Sequence, residues 1–380
     1  MRFIVNSQSF SKQLQVMSGV ITNNNAVPII NCFYFELEEK VLTVKATDLE
    51  TTLVCKIELE EGKVENISKI AVPAKQLLDT LKSLDDVPMQ FAVDANNFNI
   101  EITSGEGRYN FQGQDAEQFP AMPKVEGSAV ATMNADTLVT AINKTSFAAS
   151  NDEMRKQMAG IFMKFNENTM TVVATDAHKL VRFRNNEVSC TEDKEIILPR
   201  KPITLIKNIL AARKEEGEVT LEFNPSNVSF SIGNFFAICQ LVEGKYPNIE
   251  AAIPKENPNH LVVERLSFLN TLRRVSLFAN QSTHQVRLSM TDRQLQVSAE
   301  DLEFSNNAKE NMICEYEGSP MEIGFNARFL LEMVNNLDTE RIRIEMSHPS
   351  RAGIIFPVYE EETAEKMDIL MLVMPVMLAN

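Results

Sequence analysis

Apolar residues fall at two spacings along this chain. Phe10, Leu14 and Met17 are four and three positions apart, and the pairs Leu138/Ile142 and Phe268/Leu272 repeat the four-residue step. That spacing lines one face of a helix. Ser7, Asn134, Asp136 and Ser267 lie at the starts of these patterns, where helices favour short polar side chains. A second set of helices is expected over 72–84, 198–214 and 325–337. Pro73, Pro199 and Pro202 stand near first turns, where the missing N–H would be unpaired anyway. The other spacing is alternation in short runs, such as 41–54, 98–103, 219–223, 228–232 and 285–290. It predicts half-buried antiparallel strands.

These elements recur in one order. Leu42-Thr43-Val44-Lys45-Ala46-Thr47-Asp48-Leu49 returns as Met170-Thr171-Val172-Val173-Ala174-Thr175-Asp176-Ala177. It returns more weakly as Leu295-Gln296-Val297-Ser298-Ala299-Glu300-Asp301-Leu302. The period predicts an α+β chain of three repeated domains, each with two helices packed on antiparallel strands. Turn formers cluster at 119–128 and 253–259, which puts the domains at 1–125, 126–254 and 255–380. Repetition of this kind builds a scaffold more readily than one asymmetric active site.

With 380 residues, 44% of them hydrophobic, each copy can bury a core. The start Met1-Arg2-Phe3-Ile4-Val5-Asn6 is strand-like and unlike a signal peptide, and no apolar run reaches membrane-spanning length. Cys32, Cys55, Cys190, Cys239 and Cys314 lie in or near apolar segments without a CxxC pair. They are expected to be buried free thiols in a reducing cytoplasm. The net charge of −15 argues against a nucleic-acid partner when taken alone. Its distribution reverses that. The six helical windows are cationic in sum, with +5 in 198–214, so the strands and loops carry the acidic excess.

Catalytic signatures are sparse. GxxxxGK[ST], HExxH, GxSxG and a helix-opening GxGxxG are all absent. His178, His260, His284 and His348 have no metal-ligand spacing, so neither a metal nor a cofactor is expected. Asp176 and His178 could form an orienting pair for a nucleophile. The competing reading makes Asp176 a turn residue that binds its own following N–H groups, as Asp48 would in the first copy.

Taken with Leu198-Pro199-Arg200-Lys201, Leu241-Val242-Glu243-Gly244-Lys245-Tyr246-Pro247, Met321-Glu322-Ile323-Gly324-Phe325-Asn326 and Val373-Met374-Pro375, the chain resembles the bacterial DNA polymerase III beta subunit family, the sliding clamps. The matching stretches span all three copies. The resemblance implies a homodimeric six-domain ring that encircles duplex DNA without regard to sequence. It also implies a processivity factor rather than an enzyme, cytoplasmic, holding the replicative polymerase, clamp loader and repair proteins through short linear peptides.

The resemblance places a peptide groove on Met158, Thr175, Ala177, His178, Lys179, Leu180, Pro247, Val373, Met374, Pro375, Val376, Met377 and Leu378. It places Tyr109 and Phe111 opposite Leu277 and Phe278 at the ring closure. Lys12, Lys75, Lys82, Arg200, Lys201, Lys207, Arg273 and Arg274 are the candidate DNA-facing cations, with Arg200 and Lys201 foremost. The family usually has Gly where Ala177 stands and Arg where Lys179 stands. Its tail differs from Met374-Pro375-Val376-Met377-Leu378-Ala379-Asn380, and Asn24 replaces an arginine that touches DNA in some members. The competing reading of the Met-rich tail is a last core strand.

Overall fold

The computed structural model describes residues 1–123, 125, 129–213 and 217–378. Gly127 and Ser128 of the first expected boundary, Lys214 of the 198–214 window, and Ala379 and Asn380 lie outside the described residues. The chain forms two compact units. One is Met1–Val139, Cys190–Glu192 and Lys201–Leu241; the other is Thr140–Ser189, Asp193–Arg200 and Val242–Asn380.

The period-four faces are helical and buried as expected. Helix Ser7–Met17 buries Phe10, Leu14 and Met17, and helix Arg265–Ser276 buries Phe268 and Leu272. The caps differ from the expected serines. Asn6 Oδ1 accepts from Ser9 N at 2.9 Å, and Glu264 accepts from Leu266 N and Ser267 N, so Ser7 and Ser267 lie inside their helices. Each helix begins directly after a strand, so the cap is that strand's last residue. The second helices are Ala74–Ser83, Arg200–Ala212 and Ala327–Asn335. Short helices at Lys156–Ala159 and Glu361–Lys366 add to the expected pair per copy.

Strand order repeats with the sequence. In the first unit, one five-stranded sheet runs Glu61–Lys63, Arg2–Asn6, Pro88–Val93, Asn99–Ser104, Gly107–Gln112. In the same unit, a larger sheet runs from Ala129–Asn134 through Glu218–Phe223, Asn227–Ile232 and Phe235–Gln240 to Thr51–Glu58, Val41–Thr47, Cys32–Glu38 and Lys69–Pro73. There the first copy's Thr51–Glu58 pairs with the second copy's Phe235–Gln240, with Thr51 opposite Cys239 and Cys55 opposite Phe235.

The second unit repeats that junction one copy later. Lys179–Asn185 pairs with Met367–Val373, with Lys179 opposite Val373 and Asn185 opposite Met367. Because each half of the middle copy is hydrogen-bonded into a neighbour's sheet, the compact units divide the middle copy between them. Two strands occupying the same places in the repeat end their sheets: Gly107–Gln112 in the first unit and Asn306–Ile313 in the second.

The first-copy core is aromatic. Phe3 stacks on Phe91 with centroids 4.7 Å apart, and Phe10 meets Phe3 and Phe35 edge-on at 6.2 and 6.0 Å. Phe10 is fully buried. Phe10→Ala should therefore cost about 3–5 kcal/mol, measured as a lower midpoint of the first transition in urea. All five cysteines are free and buried, and burial pushes the thiols of Cys32 and Cys55 up to about 11 and about 12. They are poorly disposed to form thiolates.

Candidate functional site

The repeated Thr-Asp turn is the first building block. Asp176 Oδ1 accepts from His178 N and Lys179 N, both at 2.9 Å, and Thr175 Oγ1 accepts from Ala177 N at 3.1 Å. The first copy does the same: Asp48 Oδ1 accepts from Glu50 N at 3.0 Å and Thr51 N at 2.6 Å. In the third copy Asp301 Oδ1 accepts from Glu303 N. Ala177 sits at φ 78° and Leu49 at φ 81°, the left-handed position that a glycine would fill without strain. The Asp176 carboxylate thus serves the backbone N–H of His178, not its ring, and the turn reading holds. The orienting-pair reading fails on this geometry.

The second block is the strand junction. Leu180 lies opposite Leu372. With Val173, Ala352, Ile354 and Leu370 these two form a buried apolar cluster, against which Phe162, Tyr246, Ile249, Ile253 and Phe356 pack half-buried. Tyr246 stacks on Phe162 at 5.1 Å and holds the chain that leads to exposed Pro247. Met158 is half-buried on helix Lys156–Ala159, whose Gln157 Nε2 donates to Glu243 O at 3.2 Å.

The third block is the tail. Met367–Val373 is the buried core strand that ends the third copy. The chain then turns: Met374 N donates to His178 O at 2.9 Å, and Pro375–Val376 adds to the edge of Met321–Asn326, opposite Phe325 and Gly324. Met374 is 41% exposed and Met377 75% exposed. The core-strand reading therefore describes the chain only up to Val373. Gly324 is required here, because a Cβ would meet Val376 O at 2.6 Å and Leu378 Cδ2 at 2.8 Å.

Two residues of this surface are not evident from the sequence. Phe329 carries the His178 ring near-parallel at 6.1 Å and the Lys179 ammonium at 5.1 Å. Glu332 ion-pairs with Lys179, which Asp176 also approaches at 3.5 Å. Lys179 is buried, so it braces the turn against helix Ala327–Asn335 and leaves His178 and the methionines at the surface. Phe329 looks like any core phenylalanine in an apolar helix run. Its position beside His178 depends on a remote strand pairing.

The other expected residues divide by what they touch. Lys12, Lys75 and Lys82 are exposed and Lys207 half-buried, and none meets a carboxylate within 4.0 Å among the described residues. Lys201 is ion-paired with Asp48, Arg274 is bidentate on Glu310 at 2.7 and 2.9 Å, and Arg273 donates to Asn335 at 3.2 Å. Arg200 donates to Asn151 Oδ1 at 2.7 Å and Ser150 O at 3.0 Å. The two foremost cations are thus engaged within the chain. Asn24 folds back on its own loop, accepting from Ala26 N at 2.8 Å and Val27 N at 3.0 Å.

Of the ring-closure candidates, Leu277 is 80% exposed, Phe278 42% and Tyr109 38%, whereas Phe111 is 7% exposed. Leu302, Phe304 and Ile313 are further exposed apolar residues around the edge strand Asn306–Ile313.

Fold and surface together define a three-copy clamp-type protein whose tail passes the junction of its second and third copies. Family models of the DNA polymerase III beta subunit match in order: the N-terminal domain over 1–123, the central domain over 132–248 and the C-terminal domain over 250–373. The chain belongs to the DNA polymerase III beta subunit family. Among its relatives are the beta sliding clamps of Pseudomonas putida, 28% identical over 93% of this chain and 95% of the relative, and Vibrio cholerae, 26% identical over the whole of both. A sliding clamp from Pseudomonas aeruginosa solved with griselimycin bound superposes over the whole of both chains with TM-score 0.92 at 26% identity. The beta subunit from Thermotoga maritima shares the fold, with TM-score 0.89 at 21% identity.

Proposed function

We propose that this DNA sliding clamp works as a head-to-tail homodimer of six domains, with boundaries 1–125, 126–254 and 255–380, closed around duplex DNA. The ring holds the replicative polymerase, clamp loader and repair proteins by short peptides seated on His178, Leu180, Phe329 and the tail 374–378. Restraint is topological, so the ring needs no catalytic group of its own, and it acts in the cytoplasm. Among the described residues no helix is long and apolar enough to cross a membrane.

One observation carries this reading. The same strand junction occurs at both internal copy boundaries, and the two strands that would make a third junction are unpaired edges. An unpaired edge invites a partner strand. Carrying the internal register over places Gly107 opposite Glu310 of the partner subunit, and Phe111 opposite Asn306 of the partner subunit. Asn110 then faces Asn307 of the partner subunit. Asn110→Cys combined with Asn307→Cys should give covalently closed dimers on mild oxidation, since directly opposed residues lie within disulfide reach. The native thiols are buried and will not compete. Denaturing electrophoresis that shows only monomer, while Asn110→Cys with Ala308→Cys crosslinks, would set a different register.

A further inference from the structure

A recess of about 370 Å³ in the first unit lies outside the groove and the edge strands. Lys12, Gln13 and Val16 of helix Ser7–Met17 line one side, and Ala212, Arg213, Asn234 and Phe235 the other. Its chemistry is one-sided. Asn234 Nδ2 lies within hydrogen-bond reach of Gln13 Oε1 at 3.4 Å, Cys55 Sγ at 3.3 Å and Lys56 O at 3.2 Å. Asn234 Oδ1 accepts from Arg213 Nη1 at 3.4 Å. The acceptors of Gln13 and Asn234 are therefore spent, which leaves donors: the Lys12 ammonium, Gln13 Nε2 and the Arg213 guanidinium.

Arg213 Nε is buried without a hydrogen-bond partner. The guanidinium lies against Gly233, where a Cβ would come within 2.1 Å of Cζ, so only glycine lets the arginine lie there. Among the described residues no carboxylate lines the recess, and neither Lys12 nor Arg213 has an ion-pair partner. An orphaned buried donor is costly unless an acceptor arrives. A planar fork beside a point charge is the donor set that suits a phosphate.

We infer that this recess seats one phosphate group of the encircled duplex, on Lys12 and Arg213 with Gln13 as a third donor. The inference rests on the sliding-clamp reading above and adds Arg213, which the summed charge of its helix does not distinguish from its neighbours. The interaction is independent of base sequence, because only the backbone is touched.

The test is salt dependence. A short fluorescent duplex is titrated with the full-length dimer at several potassium chloride concentrations, by anisotropy. Arg213→Gln should reduce the slope of log affinity against log salt by about 0.9, the value for neutralising one phosphate fewer on duplex DNA. Arg213→Lys, which keeps the charge, should restore most of the slope. Lys12→Gln, at an exposed helix position, should lower it likewise and serves if Arg213→Gln perturbs the fold. An unchanged slope in both glutamine variants overturns the inference. A calorimetric signal for inorganic phosphate that disappears in Arg213→Gln, with the DNA slope unaltered, makes this a free-anion site and also overturns it. Wild-type protein that slides off nicked circular DNA as fast as off linear DNA removes the clamp reading itself. Retention on the circle with an unchanged slope removes this inference alone.

Discussion

Removing residues 374–380 should leave a folded dimer that no longer binds a clamp-binding peptide. The truncation ends after Val373, so the buried strand Met367–Val373 and its pairing with Lys179–Asn185 survive. The truncated chain lacks the Met374–His178 hydrogen bond, the short Pro375–Val376 edge strand and the exposed Met374 and Met377 side chains. A fully buried apolar side chain contributes about 1.5–3 kcal/mol, so losing two such anchors should weaken a micromolar peptide by about 100-fold or more. Calorimetry on the truncated dimer measures this directly, and affinity equal to wild type would remove the tail from the site. Gly324→Ala offers a second route. Its Cβ collides with Val376 O and displaces the tail without shortening the chain, so weaker peptide binding there separates tail position from tail length.

Leu277→Ala with Phe278→Ala should convert the dimer to monomer. Both side chains follow helix Arg265–Ser276 and are largely exposed, and Leu302, Phe304 and Ile313 lie exposed in the same copy. An apolar patch of this kind marks a surface that a partner covers. Interface anchors of this type commonly cost at least 2 kcal/mol each on truncation, and the edge strand offers few apolar side chains to compensate. Sedimentation at micromolar concentration should show the wild-type dimer and the variant monomer. A variant that remains dimeric would place the closure elsewhere. Helix melting should be unaffected, because neither side chain belongs to the copy's core.

Much of this molecule was legible from local pattern. The helical faces follow from the spacing of Phe10, Leu14 and Met17, and the turn chemistry of Asp48 and Asp176 follows from what a short carboxylate does after a strand. The three-copy plan followed from repetition alone. What escaped was set by pairing between distant strands. Nothing near Phe329 announces that His178 will lie on its ring, and nothing near Lys201 announces Asp48 as its partner. That Phe111, set at the ring closure by the resemblance, is already buried within its own unit escaped for a related reason. An alternating strand does not reveal which of its faces its own copy already buries. The middle copy's division between two compact units is likewise invisible in its sequence, because it arises from hydrogen bonds to its neighbours.

The strands that join copies within one chain differ from those left at the ends. Thr51–Glu58 and Lys179–Asn185 are buried over most of their length. The edge strand Asn306–Ile313 reads Asn-Asn-Ala-Lys-Glu-Asn-Met-Ile and is largely exposed. Two seams are thus dry and permanent, whereas the third would be wet, hydrated before it forms and rehydrated whenever it parts. A bracelet of the proposed kind would have welded links and a clasp. Force applied to it would be relieved at the clasp first, so threading onto a chromosome without ends would leave every folded core intact.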